Sequence, residues 1–559
     1  MRTPLQTALL EIRSCLDEAS IHTDPETVER LSRCTLPLPN RAAAFVYPSS
    51  IDEIQQLLII ANRHRVPVWP CSQGRNWGYG SANPFLEGSI VMVLARLNHI
   101  LEVNETLAYA VIEPGVTYRQ LNAHLKSQGD KLWADCTDGP PDGSVLGNAL
   151  ERGIGETPYG DHFGNLCGLE IVLPSGEVIH TGGGPPGSKT WHTHKWGIGP
   201  YLEGLFSQSN FGVVTKAGVW LMPRPEAYNS FVFQLSWAKD FGRVLDVLRA
   251  LALQRVLPTT IHMINAFVSL AVLTRYPFHL LQDQTFLPEE VIARLQQEYG
   301  VAPWTFGTGL YGTRAQVRVN RAIVKKALKP YGRLEFLDDR KVRWVSQVVP
   351  WLKRAQSYPL LAPLSRWVVR GGLRSSLALF DAVPYIHGIL KGIPTEYFVR
   401  HAYFKSNHPR PDQDVHPARD SCGLFWFAPI LPFTGQAVSE FLNVAQGLFH
   451  EQGFDLYVAL LVMNPRSIVA LMAILYRKED AAETHRASVL YERLCALVLS
   501  EGYQQYRAAM PAWRGLFDQA PGFLKLCDTL KSAVDPNNIM APGHYGIGLS
   551  HVRPHKDTQ

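Results

Sequence analysis

At 559 residues the chain is long enough for two or more domains around a sizeable core, and 46% hydrophobic with 18% charged residues is an ordinary globular composition. A formal net charge of +5 over that length leaves no basic footprint for nucleic acid. The eight cysteines form no CxxC or CxxCH, which excludes zinc ribbons, thioredoxin-like redox motifs and covalent c-type haem, and their scatter fits a reducing compartment.

The opening stretch MRTPLQTALLEIRSCLDEAS is amphipathic and lacks the apolar core of a signal peptide, and no run of about 18 uncharged apolar residues follows it. A soluble, cytoplasmic protein is the expectation. AAAFVYP reads as a buried strand ending at Pro48. Ser50 followed by Glu53 predicts a capping box that opens the helix SIDEIQQLLIIANRHR, with Ile51, Ile54, Leu58 and Ala61 on one face. VPVWP predicts a second strand, running into the loop GRNWGYG, Gly74 to Gly80. Strand, helix, strand and glycine loop together make an α/β nucleotide-binding layout. SIVMVL and AYAVIEPG predict further strands, VTYRQLNAHLKSQG a helix stopped by Gly129, and LEIVLPSGEVIHTG a hairpin around Ser175-Gly176. From about 230 to 490 the texture shifts to longer helix–strand units, which predicts a second domain; beyond it YERLCALVLSEGYQQYR predicts a helix and AVDPNNIMAPG a turn-rich tail. Residues 341–380 carry seven Lys or Arg and no acid, a pattern of core-facing helices with solvated arginines, of a membrane-surface segment, or of a docking face for an acidic partner.

GRNWGYG is neither a Walker A loop nor a Rossmann fingerprint, and in GGGPPGSKT Ser188 puts Lys189 one residue out of P-loop register. Successive backbone N–H groups of Gly74–Gly80 would instead hold phosphate as an anion nest. A second glycine-rich run, Gly143 to Val172, is a candidate partner loop for the same dinucleotide; plain turns explain the spacing equally. His192 and His194 have no carboxylate or cysteine near them in sequence, so no metal site is read.

Six segments then carry a resemblance: GRNWGYG (74–80), GSVLGNALERGIGETPYGDHF (143–163), GPYLEGLFSQSNFGVVTKAGVWLMP (199–223), WFAP (426–429), EGYQQYR (501–507) and AVDPNNIMAPG (533–543). In order along nearly the whole chain, they resemble the vanillyl-alcohol oxidase and p-cresol methylhydroxylase family of flavoproteins. The resemblance implies an α+β fold: an FAD-binding domain of the vanillyl-alcohol oxidase (PCMH) type over 1–228, a cap (substrate) domain over 229–489, and 490–559 returning to the FAD domain. It implies FAD contacts from Gly74, Arg75, Asn76, Gly78, Gly80, Ser144, Gly147, Asn148, Gly153, Gly155, Tyr159, Gly160, Asp161, Gly212, Val213, Val214 and His544.

The resemblance further implies that Tyr79, Tyr506 and Arg507 hold a phenol as its phenolate, since one guanidinium and two hydroxyl donors stabilise that anion. Hydride then leaves the benzylic carbon for flavin N5, a p-quinone methide forms, and water adds to it. Asp138 falls where an acid beside N5 is expected, with Asp142 as rival after a one-residue length difference. Phe425, Trp426 and Phe427 are expected to line the aromatic pocket. The place of the family's flavin-linked histidine reads Leu424-Phe425 here, so either His416 makes a link from a shifted position, with Tyr403 further back, or the FAD is non-covalent. The implied substrates are para-alkylphenols, para-allylphenols or 4-hydroxybenzylic alcohols. O2 or a separate carrier such as a cytochrome c or azurin would re-oxidise the flavin, segment 341–380 with Arg366 and Arg370 is a candidate docking face for the carrier, and a homodimer is the expected assembly. A 2-hydroxy-acid oxidase of the same fold, or a flavin-binding subunit without turnover, are the competing readings.

Overall fold

The computed structural model describes residues 2–184, 187–281, 284–356 and 377–549. The first unit forms where the strand–helix–strand pattern predicts it. Strand Ala42–Val46 pairs in parallel with Ser89–Val93, which pairs in parallel with Val68–Cys71. Helix Ile51–His64 covers this sheet, burying Ile54, Leu57, Leu58 and Ala61. Ser50 accepts from the Glu53 N–H as a capping box requires, but the Glu53 carboxylate reaches back to the Ser49 N–H, one residue earlier. The chain leaves the helix through Arg65 at φ 54.

A five-stranded antiparallel sheet follows, in the order Ile100–Asn104, Tyr109–Ile112, Val213–Trp220, Leu166–Val172, Val178–His180. The Ser175-Gly176 hairpin closes as predicted, with Gly176 at φ 87. Helix Tyr118–Ser127 packs Tyr118, Leu121 and Leu125 on this sheet, and Gly129 at φ 94 follows it.

The second unit is built on one eight-stranded antiparallel sheet. Its order runs Gly332–Leu337, Ala227–Leu235, Trp304–Gly312, Ile261–Asn265, Tyr457–Asn464, Ser467–Arg477, Cys422–Pro432, Gln504–Arg507. Phe231, Phe233, Phe306, Phe427 and Phe449 fill the largest core, on the face covered by helices Phe241–Leu253, Gly435–Glu451 and Ala481–Ser500. The opposite face is discussed below.

Two expectations need correction. QYR ends no helix: the helix stops at Ser500, Gly502 turns the chain at φ 73, and Gln504–Arg507 becomes the edge strand beside Cys422–Pro432. The return to the first unit therefore begins after Arg507, not at 490. There Val68 donates to the Ile539 carbonyl at 2.8 Å and accepts from the Ala541 N–H at 2.8 Å. Of the basic segment, helix Asp339–Gln356 is described, with Trp344 and Trp351 exposed; Arg366 and Arg370 lie outside the described residues. Among the described residues no helix is long and apolar enough to cross a membrane.

Candidate functional site

Two spaces meet where the units join. The first is a cleft between the glycine loops. Gly74, Arg75, Asn76, Tyr79 and Gly80 line one side, Ser144, Gly147 and Asn148 a second, Gly212, Val213 and Val214 a third, with His544 and Arg507 closing it. Gly74, Gly78 and Gly80 all have positive φ, and Ser81 shares it at φ 56, which turns the loop back on itself. Ser81 also lines the cleft, and its hydroxyl is buried with no protein partner. A buried hydroxyl without a partner is costly, and a bound polar ligand is what removes that cost. Helix Val145–Leu150 starts at the cleft, capped by Ser144, which accepts from the Gly147 N–H at 2.8 Å. A long cleft of backbone turns, a helix start and a buried arginine fits FAD.

Several expected cofactor residues stand elsewhere. A methyl group on Gly78 would strike Trp426, on Gly153 Asn148, on Gly155 Asp135 and His162, and on Gly160 the Gly155 carbonyl and Thr260. The side a Cβ would take at these glycines is filled by protein, and none of the four lines the cleft. Tyr159 packs with Trp133, Met222 and Tyr311. The Asp161 carboxylate accepts from the Gly164 N–H within its own turn. The His416 ring lies 5.3 Å from that of Trp77, tilted at 57°, and accepts from the Arg419 N–H, while the Tyr403 hydroxyl donates to Asp420 and accepts from the His416 N–H; neither side chain lines the cleft. Burial, with Arg75 and Arg419 adding to it, lowers the His416 pKa to about 4.

Tyr79, Tyr506 and Arg507 do come together. The Arg507 guanidinium lies 5.5 Å from the Tyr79 ring centre and 5.4 Å from that of Tyr506. It donates to the carbonyls of Glu151 at 2.6 Å and Asn148 at 3.3 Å, and makes no hydrogen bond to a carboxylate among the described residues. Burial works against its charge, but Tyr506, Glu151 and Tyr79 more than offset this and its pKa rises, so it is a fixed cation. Burial also lifts Tyr79 well above the ordinary phenol value and Tyr506 to about 12, against the pull of Arg507. Both tyrosines are therefore hydroxyl donors at neutral pH. The Tyr506 hydroxyl donates to the Arg152 carbonyl. Thr35, fully buried, places the loop: its hydroxyl accepts from the Gly78 N–H at 2.8 Å and donates to the Leu424 carbonyl at 3.0 Å.

The second space is an apolar cavity of about 320 Å³ against the open face of the eight-stranded sheet. Trp426 forms its wall towards the glycine loop, and its backbone N–H donates to the Gly78 carbonyl at 3.1 Å. Phe425 and Phe427 do not line it. They are buried on the other face of the strand, packed on Tyr491, because neighbours along a strand point to opposite sides and only one parity can face a cavity.

Asp138 opens onto this cavity, together with Glu156, His262 and His401, three residues that sequence reading missed. Asp142 does not: it is an exposed ion-pair partner of Arg119, at 2.7 Å. Glu156 and His262 form a buried pair at 2.7 Å; burial raises the carboxyl, and Glu156 raises the imidazole against its own burial. His401 is lowered by burial despite Asp138, with Nδ1 against the Phe398 carbonyl at 2.6 Å, so it is a neutral imidazole.

Comparison with known proteins agrees with the cleft. The family described as FAD binding domain matches residues 42–182. The 1'-carboxy-chondrochloren decarboxylase of Chondromyces crocatus is 34% identical over 97% of each chain. The 4-cresol dehydrogenase [hydroxylating] flavoprotein subunit of Pseudomonas putida is 30% identical over 97% of this chain and 96% of its own. The chain belongs to the vanillyl-alcohol oxidase and p-cresol methylhydroxylase family of FAD-dependent oxidoreductases. A solved 4-ethylphenol oxidase from Gulosibacter chungangensis matches with a TM-score of 0.86 at 26% identity, over 98% of both chains. The cofactor of this family fold is FAD.

Proposed function

We propose that the protein oxidises para-substituted phenols, removing hydride from the benzylic carbon. The observation that carries this reading is a buried cation, Arg507, set between the rings of Tyr79 and Tyr506. Bound FAD supplies the hydride acceptor. The chain's part is to bind the phenol as its anion: Arg507 provides the charge, Tyr79 and Tyr506 donate hydroxyl hydrogen bonds, and the ionised ring releases electrons towards its para carbon. Tyr506 exchanges its bond to the Arg152 carbonyl for the phenolate oxygen. Asp138 and neutral His401, at the cavity end nearest Trp426, accept the proton of the water that adds to the quinone methide. With neither His416 nor Tyr403 lining the cleft, FAD is held non-covalently. O2 or a separate electron carrier takes the electrons on, and the description of the P. putida relative as a subunit supports a carrier.

The C. crocatus relative raises oxidative decarboxylation as a second chemistry. Two carboxyl groups, Asp138 and Glu156, face the cavity and His262 is already paired with Glu156, which disfavours a substrate carboxylate there. Anaerobic mixing of the holoenzyme with 4-ethylphenol, a 4-hydroxyphenyl alkanoic acid and D-lactate decides. Reduction by 4-ethylphenol alone supports the proposal; reduction by D-lactate and not by the phenol contradicts it.

A further inference from the structure

The apolar cavity is far longer than a simple alkylphenol needs. It takes residues from seven consecutive strands of the eight-stranded sheet, from the edge strand Gly332–Leu337 to the strand of Trp426. The eighth strand carries Tyr506 and Arg507. One row of cross-strand partners runs along its floor: Arg333, Gln234, Thr305, Ile264, Ala459 and Leu471 stand opposite one another in register. Leu471 then shares an apolar cluster with Tyr506. Strands lie about 4.8 Å apart, so seven of them span roughly 29 Å across the sheet.

The chemistry changes along that length. His401 and Asp138 stand at the Trp426 end, the Glu156–His262 pair lies at mid-sheet beside Gly307, and the far mouth is polar again. There Lys341 bonds Glu335 at 2.9 Å and Arg333 approaches the same carboxylate at 3.6 Å, two cations on one acid. A mainly apolar space that crosses seven strands fits a chain-like ligand more closely than a compact one.

We infer that the natural substrate is a phenol whose para substituent is a long, unbranched apolar chain, laid across the sheet and ending near Arg333 and Lys341. This rests on the phenol reading above and adds the substrate class. Each methylene buried in the tube contributes about a four-fold gain in affinity. Gly307 stands mid-way, on the second row, and is the natural place for a plug: a Cβ there meets nothing closer than the Phe231 carbonyl oxygen at 3.6 Å, so a larger side chain has only the channel to enter.

The test is anaerobic flavin reduction of the full-length holoenzyme by 4-n-alkylphenols from ethyl to nonyl, reading Kd from rate saturation, in wild type, Gly307→Phe and Val232→Trp. Tightening of at least about a hundredfold from ethyl to nonyl is expected in the wild type. Either plug should cut the nonyl-to-ethyl affinity ratio by about tenfold or more. Affinity that levels off at ethyl or propyl overturns the inference. So does an equal loss for both phenols in both variants, which would make the tube an entry path for small substrates. A flavin that no phenol of any length reduces contradicts the proposed function itself, and so is told apart from failure of the channel alone.

Discussion

Replacing Arg507 by methionine removes the charge and keeps an unbranched side chain of similar reach. At about 4 Å from the guanidinium and an effective dielectric near 20, the phenolate gains about 4 kcal/mol from Arg507, equivalent to about 3 pKa units. Phenol ionises near pH 10 in water, so the wild type would hold the anion at neutral pH, and R507M would hold it only in alkali. Stopped-flow flavin reduction by 4-ethylphenol at pH 7 should fall about a thousandfold in R507M, and the variant's rate should climb about tenfold per pH unit towards pH 10. R507K should fall between, having the charge without the fork that bonds the Glu151 and Asn148 carbonyls. Those orphaned carbonyls also cost stability, so each variant's flavin content must be matched first. A pH profile in R507M parallel to that of the wild type would refute the reasoning, however large the loss.

Asp138→Asn should slow flavin reduction or water addition by about 10² to 10⁴ with little change in phenol affinity, whereas Asp142→Asn, losing only an exposed pair with Arg119, should cost less than about 1 kcal/mol of stability and leave turnover within twofold. Acid precipitation of the holoenzyme should release its flavin; yellow colour in the pellet would contradict non-covalent binding. His416 titrates at about 4 when folded and near 6.5 when unfolded, so between those values the unfolded chain binds more protons and the stability from neutral His416 is lost as pH falls from 6.5 towards 4. Thermal scans of H416Q across that window should show a shallower acid loss than the wild type, and identical slopes would remove His416 as the cause. Lys531→Met leaves the Asp535 carboxylate buried without its cation and frees the Asn210 and Met540 carbonyls it bonds at 2.6 Å, so about 3–5 kcal/mol of stability should go, with weaker FAD retention because Asn210 neighbours the cleft.

Local physics made much of the fold legible. Caps, apolar periodicity and turn glycines placed the first parallel strands, the helices at 51 and 118 and the Ser175-Gly176 hairpin close to where they stand. The edge strand 504–507 escaped because YERLCALVLSEGYQQYR looks helical throughout, and only pairing with a strand some 75 residues earlier makes QQYR extended. The glycine-rich run 143–163 is hard to read for a different reason. A missing Cβ lets something approach, and sequence does not say whether that is a ligand or a side chain, as Ser72 is at Gly147 and Asp135 at Gly155. Phe425 and Phe427 could have been excluded from the pocket by strict alternation once Trp426 was placed in it. Glu156, His262 and His401 meet from separate stretches of chain, so no spacing announces them, although Glu156 lies inside the ETPYGDHF run.

The account turns on an ionised ring bound by Arg507, and one spectrum addresses that directly. 4-Chlorophenol has no benzylic hydrogen and stays unreacted in the site. Its difference absorption on binding to the holoenzyme at pH 7 should show the phenolate band, absent from R507M at the same occupancy. Binding of the neutral phenol by the wild type, with the band appearing only as free phenol ionises, would contradict it.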